Sequence, residues 1–107
     1  MAQLHITALK CIRKQDVVGK DEPVIWVAGQ YAWDGKIEKG EIVDADLNPR
    51  KEFTDSVLVE LKEATGAGQR DGKLLRAWTV QATPSGLRDP LRATAAGYDY
   101  QLFYHVD

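Results

Sequence analysis

Two acidic stretches carry the residue types best suited to chemistry. The first is Asp16-Val17-Val18-Gly19-Lys20-Asp21-Glu22-Pro23. The second is Glu63-Ala64-Thr65-Gly66-Ala67-Gly68-Gln69-Arg70-Asp71. Carboxylates and hydroxyls interleaved with glycine suit a hard cation such as calcium, which takes about six to eight oxygen ligands at ~2.3–2.6 Å. Glycine lets the backbone double back and turn its carbonyls inward. Acids gathered from two such loops repel one another, and a bound cation relieves that repulsion. On this reading Asp16, Glu22, Glu63 and Asp71 form a cation cup, with Asp21 or Thr65 assisting. The competing reading is that these are ordinary polar turns, in which Asp and Gly are common.

The charge distribution agrees with a cation site better than with a phosphate-binding patch. The chain carries 14 Lys+Arg and 16 Asp+Glu, net −2, so it has no general attraction for nucleic acid or an anionic membrane. Between Asp16 and Asp46 there are eight acids and three bases, net −5, which leaves +3 for the rest of the chain. A solvated acidic surface would produce the same numbers. Asp44 and Asp46 fall in a different stretch and read as turn acids.

Other chemistry is poorly supported. Cys11 is the only thiol, so no internal disulfide can form and a reducing compartment fits. A Cys–His nucleophile would need His5 or His105 beside Cys11. If the first and last strands pair, those histidines approach each other, but two histidines and one cysteine are few for a zinc site. No G-x-S-x-G, P-loop, H-E-x-x-H or EF-hand pattern is present. An enzyme is therefore the least favoured class.

The elements that position these residues are strands. At 107 residues, 44% hydrophobic and 28% charged, the chain reads as a single globular domain over 1–107. No apolar run approaches the ~18 residues of a membrane span, and no signal-peptide pattern opens the chain. A cytoplasmic location follows as the expectation, with peripheral membrane attachment or non-classical export as variants. Apolar periodicity is mostly two. It predicts strands at Gln3 to Cys11, with Leu4, Ile6 and Ala8 on one face, at Val24 to Val27, and at Ser56 to Leu61. Further strands are expected at Leu74 to Thr83, with Leu74, Trp78 and Val80 together, and at Tyr98 to Val106. Lys36 to Val43 alternates weakly, and Asp44 to Lys51 reads as a loop. Only Arg88 to Ala96 and Phe53 to Lys62 could be helical, and the second is too β-branched to favour it. About seven to eight short strands with turn chemistry between them imply an all-β, antiparallel β-sandwich.

With that architecture, the acidic loops resemble those of the C2 domain, a family of eight-stranded sandwiches known for calcium-dependent phospholipid binding. The family's first loop commonly reads D-x-x-G-x-S-D-P-Y, with a valine three residues on. Here the chain reads Asp16-x-x-Gly19-x-Asp21-Glu22-Pro23-Val24, then Val27. The family's third loop places acids at relative positions 0, 2 and 8, which are Glu63, Thr65 and Asp71 in this chain. Glu22 and Glu63 are a methylene longer than aspartate, and Thr65 brings a hydroxyl without charge. The resemblance spans Leu9 to Val27 and Val57 to Val80.

It implies a non-enzymatic, C2-like binding module, calcium-assisted, docking on a membrane surface or a protein partner through the two acidic loops. Val17 and Val18 at the first tip, with Ala64, Ala67 and Arg70 on the second loop, are the residues available for membrane contact. Two alternatives stay open. One is a calcium-independent protein-interaction or structural component of an assembly, including a homo-oligomer formed through strand edges. The other is carbohydrate binding by an aromatic face of Tyr31, Trp33, Tyr98, Tyr100 and Tyr104, with Trp33 as the ring expected to be exposed and Trp26 and Trp78 expected in the core.

Overall fold

A computed structural model describes residues 2–13, 22–45, 51–64, 72–83, 89–95 and 98–107. Those residues form nine strands and no helix. They are β1 (Ala2–Arg13), β2 (Pro23–Val27), β3 (Gln30–Asp34), β4 (Ile42–Asp44), β5 (Lys51–Phe53), β6 (Ser56–Glu63), β7 (Lys73–Gln81), β8 (Leu91–Ala95) and β9 (Tyr98–Val106). The expected antiparallel sandwich is present, with nine strands among the described residues where about seven to eight were expected.

One sheet runs β4-β1-β9-β8, with β5 also pairing β1, and the other runs β3-β2-β6-β7. All pairings are antiparallel. β1 and β9 join the two ends of the chain at the centre of the first sheet, with Leu4 opposite Val106 and His5 opposite His105. Leu4, Ile6, Leu9, Cys11, Tyr100, Leu102 and Val106 face Ile25, Val27, Val57, Val59 and Leu61 in one shared core. The Tyr98 hydroxyl crosses between the sheets, donating 2.8 Å to the Leu75 carbonyl. A buried tyrosine therefore keeps its polar end satisfied while its ring fills the core.

Local irregularities decide several faces against simple alternation. A register shift between Ile6 and Ala8 turns the pleat, so Leu9 and Cys11 are buried and Ala8 is not. A second shift, where Leu61 and Lys62 meet β7, buries Leu75 and leaves Leu74 49% exposed. Arg88 to Ala96, one of the two stretches that could be helical, contains β8: Leu91–Ala95 pairs with Tyr98–Leu102. Pairing with a central strand outweighs weak local preference. Asp44 lies in β4 opposite Ala8, and Lys51 lies in β5 opposite Leu4, so both ends of the expected Asp44–Lys51 loop belong to strands. The β2–β3 hairpin closes through Ala28 and Gly29, at φ of 54° and 75°. Two successive left-handed residues match the right-handed twist of the flanking strands.

Candidate functional site

The antiparallel pairings of β2, β6 and β7 bring the strand ends that anchor the two acidic connections together. Pro23, the first residue of β2, lies opposite Glu63, the last of β6, and Glu63 lies opposite Lys73, the first of β7. The connections 14–22 and 64–72 therefore spring from neighbouring positions, although more than 40 residues separate them in sequence. Reciprocal hydrogen bonds tie their bases together. The Glu22 N–H donates 2.9 Å to Glu63 Oε1, and the Ala64 N–H donates 3.0 Å to the Glu22 carbonyl.

Alternation along β6 explains the position of Glu63. Val57, Val59, Leu61 and Glu63 share the inward face, so the glutamate is drawn under the sheet end and is only 7% exposed. A buried carboxylate needs hydrogen-bond donors, and the Glu22 amide supplies one. Gly72 closes over the same spot. A Cβ there would lie 1.9 Å from the Glu63 carbonyl oxygen, so only glycine permits this approach. The Glu22 carboxylate is more open and lies 3.9 Å from Lys36 Nζ. Lys36 is largely exposed, so this ion pair is weak.

Of the six sequence candidates, the structure brings Glu22 and Glu63 into contact. Asp16, Asp21, Thr65 and Asp71 lie outside the described residues, as do Val17, Val18, Ala67 and Arg70. Within the described part, Glu63 braces the base of the site, and Glu22 is the carboxylate in reach of solvent at its rim.

The remaining candidates are distributed elsewhere. Cys11 is fully buried opposite Tyr100, whereas His5 is opposite His105. Cys11 lies six positions along β1 from His5, about 20 Å, so no Cys–His nucleophile forms there. Tyr98, Tyr100 and Tyr104 are buried. Trp33, expected to be the exposed ring, packs against the core, whereas Tyr31 is 41% exposed and hydrogen-bonds Asp34. Trp26, expected in the core, lies on the outer face, edge-on to Tyr31 at 82°, with Lys62 Nζ 4.5 Å from its ring centre. Perpendicular rings offer no flat platform of the kind that stacks sugars. On the outer face of the first sheet, Arg92 grips the buried Asp99 through two hydrogen bonds of 3.1 and 2.6 Å. That hydrogen bonding, and then the carboxylate charge, raises the Arg92 guanidinium above its ordinary range.

β1 and β9 do pair, which is the condition under which the sequence would bring the two histidines together: His5 Nδ1 lies 3.0 Å from His105 Nε2. Sequence reasoning did not single out the third member of this cluster, Asp107. The signal was the His105-Val106-Asp107 spacing, which places both side chains on one face of a strand. No protein-family model matches the chain, and no curated protein matches it.

Proposed function

We propose that this chain is a non-enzymatic, C2-like binding module. It engages a membrane surface or a protein partner through the end of the sandwich that carries the 14–22 and 64–72 connections, with calcium shared between their acids. The supporting observation is the pairing of Pro23 with Glu63 and the reciprocal hydrogen bonds of Glu22, which set the ends at which two acidic segments are anchored next to each other. Such a junction gathers oxygen ligands from distant parts of a sequence, as calcium coordination requires.

Calorimetry with calcium tests the reading. Heat of binding at or below millimolar ion is expected, together with a rise in melting temperature, because an ion bound only by the folded state stabilises it. Asp16→Asn with Asp71→Asn should abolish both. No heat and no thermal shift removes calcium from the reading. Sedimentation with anionic liposomes, with and without calcium, separates a membrane target from a protein one.

A second reading, calcium-independent protein interaction by the same end, draws on the burial of Glu63 and its bond to the Glu22 amide. That carboxylate ties the bases of the two loops together through a protein hydrogen bond that needs no ion. Unchanged partner capture in excess chelator supports this version.

A further inference from the structure

We infer that the outer face of the β1–β9 pair carries a separate binding site for a zinc-class divalent ion, formed by His5, His105 and Asp107. The three side chains come from a cross-strand pair and its diagonal neighbour. His5 and His105 are directly opposite, and Asp107 follows His105 by two residues on the same face. Gln3 and Asp107 exchange backbone hydrogen bonds of 3.1 and 3.0 Å, so the ladder continues past β9 and fixes the Asp107 backbone opposite Gln3, diagonal to His5. The ligand atoms all lie within 4.8 Å of one another.

The distances fit an ion better than a chance cluster does. His5 Nδ1 is 3.0 Å from His105 Nε2, and His105 Nε2 is 3.4 Å from Asp107 Oδ1. An ion at ~2.05 Å from each atom would see angles of about 94° and 112° across those two edges, close to the tetrahedral or octahedral values that zinc-class ions adopt. The third edge closes by a small turn of the Asp107 side chain, which is 49% exposed. The His5 and His105 rings meet nearly perpendicular, at 71°, with their centres 4.4 Å apart. That arrangement aims one nitrogen of each at a common point instead of stacking the faces.

The donor set selects the class of ion. Two imidazoles and one carboxylate suit zinc, copper(II), nickel or cobalt(II), whereas calcium and magnesium require oxygen. Without an ion, one ring nitrogen donates its proton to the other across the 3.0 Å contact. Binding moves that proton to the far nitrogen of the same ring, so each neutral imidazole presents a lone pair to the metal and keeps one N–H. Three protein ligands on a solvent-accessible face leave at least one coordination position for water or an incoming ligand. The site lies eight residues before the end of β1, about 27 Å along the strand from the acidic connections, and is independent of the function proposed for them.

The test is calorimetric titration of the untagged protein with zinc chloride, alongside cobalt(II) absorption spectroscopy. One zinc per chain is expected, with a dissociation constant on the order of micromolar for an open three-ligand site. His5→Gln and His105→Gln should each weaken binding by about tenfold or more, and Asp107→Asn by several-fold. Cobalt should give visible absorption bands that His105→Gln removes, and circular dichroism of each variant checks that the sheets persist. Absence of binding below millimolar zinc overturns the inference. So does binding that survives both histidine substitutions in folded protein, since the ion would then be held elsewhere.

Discussion

The acidic end of the molecule and the histidine face of β1–β9 assemble distant residues in different ways. At the acidic end, strand pairing brings only the bases of two connections together, through Pro23 and Glu63, and the other candidate acids belong to the connections themselves. On the histidine face, the ladder itself sets all three side chains, with 100 residues separating His5 from His105. A ladder fixes both the spacing and the direction of side chains. A connection fixes only where its ends are anchored. The histidine cluster is therefore preorganised by the central strands of the fold, whereas the acidic end depends on the brace beneath it.

Substitutions that damage one region and spare the other sharpen this contrast. Gly72→Ala should have the largest effect on stability, about 3 kcal/mol, because the new methyl meets the Glu63 carbonyl and the sheet end must move. Urea unfolding would measure it, and zinc affinity of the folded fraction should stay within twofold of the parent. Equal loss at both regions would show that the two are coupled.

Glu63→Ala should destabilise by about 2 kcal/mol, since the Glu22 amide loses its acceptor in a part-buried setting. Glu63→Gln retains an acceptor oxygen at the same place and should lose about 1 kcal/mol or less. Similar losses in the two variants would mean that the brace works by packing and not through the amide bond. His105→Gln should lower stability by only about 0.5 kcal/mol in the absence of zinc, as expected for a site on the outer face. With zinc the parent should melt higher, and this variant should shift less at the same zinc concentration. Lys36→Ala should change stability least, by under about 0.5 kcal/mol, because its pairing with Glu22 is long and exposed. A larger loss there would show that the rim of the acidic end is held more firmly than its geometry implies.

Much of the fold was legible in the sequence, because period-two alternation reports a half-buried strand directly. Tyr98 to Val106 illustrates this: Tyr98, Tyr100, Leu102, Tyr104 and Val106 are all buried in the core, and the residues between them lie on the outer face, where Asp99 is covered by its pairing with Arg92. Alternation failed where a strand carries an extra residue. Leu9 and Cys11 replace Ala8 on the inner face of β1, and Leu75 replaces Leu74 in β7. A bulge leaves no mark in local composition, because it depends on the partner strand. β8 was obscured for a related reason: Leu91–Ala95 is weakly patterned and takes its conformation from β9.

By itself, the sequence determined the all-β character, most strand positions and the two stretches rich in acids. Those are properties of neighbouring residues, and local periodicity and side-chain chemistry record them. The tertiary structure decided that Glu22 abuts Glu63, that Glu63 turns inward as a brace, and that Asp107 joins His5 and His105. Each depends on the register between strands distant in the chain. That register is set by how the whole core packs, so no single stretch of sequence contains it.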